Sequence, residues 1–123
     1  MSTTQLIFVF TGLFFLFIFL FGFRLSRSGK PYPAAVFNIH KLLALGAVVY
    51  LGVNIYNIHQ VAPLSPVQIA AVVVTVLCFA ATIATGGLLS VEKEMPGFVL
   101  KLHQILLWVT VVSAAGMLYL ILA

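Results

Sequence analysis

Two histidines stand in matching surroundings, His40 in "FNIHKLL" (Phe37 to Leu43) and His103 in "LKLHQIL" (Leu100 to Leu106), 63 residues apart. A neutral imidazole can ligate a transition metal, relay a proton or hydrogen-bond to a headgroup. One such ring from each of two helices can fill both axial positions of a haem iron. With no coordination position left open, that arrangement suits electron transfer rather than oxygen chemistry. Lys41, Lys101, Arg24 and Arg27 fall near the same membrane edge, where their charges could pair with haem propionates. Two other readings stand beside this one. The rings could serve a proton relay or a quinone contact. They could also be interfacial histidines, since His40 adjoins Lys41 and His103 follows Lys101 by two residues.

The elements that must carry these residues are apolar. Of 123 residues, 63% are hydrophobic, and the charged ones are 6 Lys and Arg with 2 acids, far below the roughly one quarter of a soluble domain. Four long apolar segments run through Leu6–Phe23, Leu42–Ile58, Val67–Leu89 and Ile105–Leu122. Each approaches or exceeds the roughly 17–25 residues a helix needs to span a bilayer. Alternating strands are absent, which excludes a β-barrel. The expected fold is an all-α integral membrane protein, a four-transmembrane-helix bundle of two parallel-repeat helical hairpins. The start "MSTTQ" lacks a basic n-region, so no cleaved signal peptide is expected. Cys78, the single cysteine, reads as a small packing residue. The spans hold no carboxylate, so a cation pump lacks its usual residues. Zinc clusters, P-loops and Ser–His–Asp sets are missing as well.

The six cations gather around two connections, Arg24, Arg27, Lys30 and Lys41 at the first and Lys93 and Lys101 at the third. By the positive-inside rule these loops face the cytoplasm of a prokaryotic cell and both termini face out. Topology accounts for the charge, and nucleic-acid binding is not expected. Glu92, Lys93 and Glu94 read as a solvated loop.

Laid over 64–123 without gaps, residues 1–60 match at Ser2/Ser65, Gln5/Gln68, Val9/Val72, Leu25/Leu88, Lys30/Lys93, Pro33/Pro96, His40/His103 and Tyr56/Tyr119, among others. The chain therefore reads as one membrane domain, with a first hairpin repeat at 1–60 and a second at 64–123. Repeats of two spans insert in the same orientation, so His40 and His103 belong at equal depth. At helical spacing His40 shares a stripe with Leu43, Ala44, Ala47, Tyr50, Leu51 and Asn54, and His103 with Leu106, Leu107, Thr110, Ser113, Ala114 and Met117. Polar residues on both stripes imply inward faces. "AATIATGG" (Ala80 to Gly87) offers a small-residue face. Phe14, Phe15, Phe17, Phe19 and Phe21 read as lipid-facing bulk, Tyr32 and Tyr56 as interfacial and Trp108 as a packing residue. His59 aligns with Leu122 and reads as interfacial.

Four spans with inward histidines near helix ends resemble small four-helix membrane b-type cytochromes, the cytochrome b561-like and quinol-linked anchor subunits. The resemblance implies one haem b held by His40 and His103 between helices two and four. It also implies an electron-carrying role within a redox assembly, with a quinone or redox protein as partner, rather than an enzyme in its own right. Those families often carry more ligands, and two bis-histidine sites would need four histidines where this chain has three. The competing class is a cofactor-free small membrane subunit or a solute-conducting homo-oligomer. A third is a quinone site without haem, dependent on His59 or Tyr56.

Overall fold

The computed structural model describes residues 2–91 and 96–123. It is all-α, with α1 at Thr3–Ser28, α2 at Ala34–Val61, α3 at Pro66–Ser90 and α4 at Gly97–Leu122. All four are long and apolar enough to cross a membrane, and the chain is an integral membrane protein. The chain divides into two compact units, Met1–Ala62 and Pro63–Ala123. Each is a hairpin, α1 packed on α2 and α3 packed on α4. The expected solvated loop Glu92, Lys93 and Glu94 lies outside the described residues, as does the Lys93 member of the Lys30/Lys93 match.

Two of the sequence matches are helix caps. Ser2 Oγ accepts from Gln5 N at 3.2 Å while Gln5 Oε1 accepts from Ser2 N at 3.0 Å. Ser65 and Gln68 repeat this capping box at 3.3 and 2.8 Å. A helix start leaves amide donors without intrahelical partners, and a reciprocal Ser-x-x-Gln pair satisfies two of them. Pro33 and Pro96 are the N-caps of α2 and α4, as their ring-fixed φ suits. Gly29 closes α1 at φ 68, its N–H bonded to Leu25 O at 3.2 Å; that left-handed backbone favours glycine.

The helices outrun the apolar segments. α2 starts at Ala34 and α4 at Gly97, eight residues ahead of Leu42 and Ile105, because nothing after either proline interrupts the backbone ladder. At about 1.5 Å per residue these helices reach about 40 Å, against a hydrocarbon core of about 30 Å. His40 and His103 are each the seventh residue of their helix. That places them a little inside the hydrocarbon edge, with the Lys-bearing turns around them.

The two hairpin cores differ in chemistry. In the first, Ile7, Phe15, Ile18 and Leu25 of α1 meet Ala47 and Leu51 of α2. In the second, hydroxyls stitch the helices. Thr82 Oγ1 and Thr110 Oγ1 lie 2.8 Å apart and so do Thr75 Oγ1 and Ser113 Oγ. Thr75, Thr82 and Thr110 also lie within hydrogen-bond reach of the carbonyl four residues back, sharing each single hydroxyl proton between the two directions. Without a hydrophobic drive between helices in lipid, packing and such bonds hold a pair together.

The buried faces of α1 and α3 do not follow the ungapped register. Thr11, Phe15 and Leu25 are buried, and so are Thr75 and Phe79; Thr75 and Phe79 stand 64, not 63, residues beyond Thr11 and Phe15. The matches Val9/Val72 and Leu25/Leu88 are therefore corrected, Leu88 being exposed and Leu89 taking the place of Leu25. One extra residue lies between Gln68 and Thr75. The shift is reversed before Pro96, so α2 and α4 keep an offset of 63. In this alignment the buried pair Ile18 and Ala47 occupies the place of Thr82 and Thr110.

Three side-chain expectations are corrected as well. Phe15 is core rather than lipid-facing. Phe14 packs at 5.6 Å on Tyr50 and on Gly46, whose missing Cβ would fall 3.2 Å from its ring. Phe17 is exposed as lipid-facing bulk should be. Trp108 is 63% exposed, two residues before buried Thr110. In the small face Ala80 and Ala84 are exposed, while Thr82 and Thr85 are buried and bonded to α4.

Two measurements test this packing. Thr11 Oγ1 is buried without a hydrogen-bond partner among the described residues, whereas Thr75 is bonded. Thr11→Val is therefore expected to be neutral or to stabilise by up to about 1 kcal/mol, and Thr75→Val to destabilise by about 0.5–2 kcal/mol. Denaturant titration in micelles reads both. Thr82→Ile alone overpacks against Thr110 at a cost of about 1–3 kcal/mol, while Thr82→Ile with Thr110→Ala, the pair of the first hairpin, recovers most of it. A double variant less stable than Thr82→Ile would count against the alignment.

Candidate functional site

Each imidazole is seated on a glycine of the preceding helix. A Cβ on Gly22 would lie 3.0 Å from His40 Cε1, 3.5 Å from Nδ1 and 3.7 Å from Nε2. A Cβ on Gly86 would lie 3.0, 3.6 and 3.7 Å from the same atoms of His103. Gly22 and Gly86 are 64 residues apart, in the register of the buried faces. The seat is thus repeated, to within 0.1 Å at each of these three atoms. Both rings are half-buried, and each lies on the packed stripe of its helix.

The bonds at Nδ1 fix the proton. His40 Nδ1 lies 3.1 Å from Ile18 O. A carbonyl only accepts, so Nδ1 carries the hydrogen and the neutral ring holds its lone pair on Nε2. His103 Nδ1 lies 2.9 Å from Thr85 Oγ1. Thr85 Oγ1 also lies within hydrogen-bond reach of Ala81 O at 3.0 Å and Thr82 O at 2.9 Å; with its single proton on either carbonyl it accepts from the ring. Thr82 stands where Ile18 stands in the first hairpin. His40 is therefore an Nδ1–H tautomer, and His103 takes the same form when Thr85 donates to the backbone; both rings are anchored through Nδ1 to the preceding helix. This is the state in which a histidine ligates a metal through Nε2 while its other nitrogen donates to a carbonyl. The donor chemistry fits haem iron.

The cations are placed differently. Arg24, Arg27, Lys41 and Lys101 are all exposed. Arg27 lies over the Phe23 ring and Lys41 over the Phe37 ring, each 5.7 Å from the centroid; cation–π attraction and a snorkelling stem hold such heads at the edge. Lys41 sits about 100° around α2 from His40, so it does not join the ring on its packed face. Within the hairpins the structure brings His40 to α1 and His103 to α3, and the four cations lie outside both seats. His59 is exposed near the end of α2, far along the helix from His40. Among the described residues no group of three or more His, Cys, Asp or Glu gathers as a metal cluster.

Gly22, Gly86, Ile18 and Thr85 are absent from the sequence-level candidates. Their signal is present but displaced by one residue. Only an offset of 64 sets Gly22 on Gly86, and the strong matches at the caps and prolines impose 63. No family model, curated protein or solved structure matches the chain.

A methyl group at either seat must push the ring, because contacts near 3.0 Å leave it no room. Gly22→Ala and Gly86→Ala are expected to weaken the Nδ1–H bond and cost about 1–3 kcal/mol. Gly12, Gly52 and Gly116 have nothing within 4 Å of a built Cβ, so Ala there is expected to be neutral or to stabilise by about 0.5–1 kcal/mol through helix entropy. Thermal melts of the five variants separate the two groups; equal behaviour would dismiss the seats.

Proposed function

We propose that this chain is a membrane-bound b-type cytochrome component in which His40 and His103 are the axial ligands of one haem b. The carrying observation is the repeated seat. Two hairpins hold two imidazoles on glycine with Nδ1 hydrogen-bonded to the preceding helix, which leaves Nε2 as the ligating atom in both. A histidine that merely meets the interface needs neither a glycine seat nor a fixed tautomer.

Haem would supply a one-electron iron couple at the membrane edge where these rings lie. The chain supplies the ligands, the ring orientation set by Gly22 and Gly86, and the Nδ1–H bonds that raise the basicity of Nε2. Arg24, Arg27, Lys41 and Lys101, exposed in the turns nearest the histidines, are the cations suited to propionate carboxylates. The positive-inside rule assigns that edge to the cytoplasm. With both axial positions taken by protein, the chain passes electrons rather than binding oxygen. Its donor and acceptor belong to a larger assembly, with a quinone or a redox protein as the expected partner.

Purification in mild detergent and a visible spectrum before and after dithionite test the reading. A Soret band that moves to the red on reduction, with narrow α and β bands, is expected. His40→Ala and His103→Ala each abolish the low-spin spectrum, and His59→Ala retains it. A featureless spectrum that added haem leaves unchanged would return the chain to the class of cofactor-free membrane subunits or solute-conducting oligomers.

A further inference from the structure

We propose that the outer face of α1 holds one anionic phospholipid of the surrounding bilayer, its phosphate taken by Arg24 and Arg27 and a chain lying along Leu20, Phe17 and Leu13. The proposal does not rest on the haem reading; of the four cations named there it assigns these two to lipid and leaves Lys41 and Lys101 to the propionates.

The faces of α1 carry the argument. Ile7, Thr11, Phe15, Ile18 and Leu25 are buried on one side. Leu13, Phe17 and Leu20 are exposed on the other, and at about 100° per residue Arg24 and Arg27 continue their stripe within about 80°. Both arginines stand about 140–160° around the helix from Gly22, so they point away from the His40 seat. They lie about 3 and 7.5 Å beyond Gly22 along the axis, which takes them from the hydrocarbon edge into the phosphate layer. Arg27 is held at that level over the Phe23 ring, 5.7 Å from its centroid. One face thus offers a track of hydrocarbon ending in two guanidinium groups, which bind phosphate oxygens in pairs.

The second hairpin lacks this site. In the register of the buried faces Leu88 and Val91, both exposed, stand where Arg24 and Arg27 stand. Charge divides the same way. Residues 1–62 carry Arg24, Arg27, Lys30 and Lys41 and no acid, whereas 63–123 carry Lys93 and Lys101 with Glu92 and Glu94. Orienting the chain requires cations near a connection, not two on a single lipid-facing stripe. A soluble acidic partner would meet the charged heads but not the hydrocarbon below them, and a phospholipid meets both.

Native mass spectrometry of the full chain in mild detergent, with dioleoylphosphatidylglycerol or dioleoylphosphatidylcholine added, measures the affinity for the first lipid retained. Wild type is expected to prefer phosphatidylglycerol by about tenfold, and each guanidinium removed to lower that preference by about fivefold. The double variant Arg24→Gln, Arg27→Gln then binds both lipids alike, while Lys101→Gln behaves as wild type. Glycerol phosphate, a headgroup without chains, leaves the lipid in place. Equal affinity of wild type for the two lipids would overturn the proposal without recourse to any variant. So would a loss in Lys101→Gln as large as in the arginine pair, since diffuse charge at the membrane edge would then suffice. Displacement of the lipid by glycerol phosphate would refute the chain track, and displacement by polyglutamate would give the surface to an acidic protein instead.

Discussion

Inside a bilayer a polar side chain has no water to fall back on, so its partner must come from the protein. The organisation of the second hairpin obeys that constraint. Thr75, Thr82, Thr85 and Thr110 each bond a carbonyl three or four residues back, which settles the hydroxyl locally before any helix–helix contact forms. The same hydroxyls also meet partners across the interface, Thr75 with Ser113, Thr82 with Thr110 and Thr85 with His103, one member of each pair donating to the other. The first hairpin meets the same constraint by removing polar groups, with Ile18 and Ala47 packed where threonines stand in its counterpart. The threonine at 11 and 75 stays in both hairpins, in the first buried without a partner among the described residues, and so does the histidine. In both it takes the one kind of acceptor a helix can offer at depth, the backbone carbonyl or a hydroxyl already tied to it.

Glycine is the geometric half of the same arrangement. An imidazole can reach a carbonyl of the neighbouring helix only if nothing stands on the intervening turn, and at Gly22 and Gly86 the ring occupies the space a methyl group would fill. Close approach and hydrogen bonding are therefore one requirement. A larger residue would fill the gap and also leave Nδ1–H without its acceptor in a medium that cannot replace it.

Much of the architecture could be read from the residues. The four apolar runs announce four spans, and the prolines at 33 and 96 mark helix starts because ring-fixed φ suits that position. The stripes through His40 and His103 hold Ala47, Leu51, Thr110, Ala114 and Met117, all buried. The seats were not legible, for a definable reason. An apolar span uses few residue types, so register is judged on scarce polar matches, and in the first half of each repeat these lie at the caps. Ser2 and Gln5 describe where a helix begins, not which way its face points. Exposed Trp108 eluded the pattern for a related reason, since an apolar residue in a span can face lipid or protein and composition does not distinguish them.

The extra residue between Gln68 and Thr75 bears on how the two hairpins differ. In a membrane helix one added residue displaces every later position by about 1.5 Å along the axis but turns it by about 100°. Depth barely changes while orientation changes greatly. The capping box kept its place, and Gln68 came to send its amide to Leu120 O at 2.9 Å, at the far end of α4. The reversal before Pro96 then returned α4 to the offset it shares with α2. Length in this chain behaves as an angular variable, and the faces of the two hairpins differ by a rotation introduced within α3 and reversed before α4.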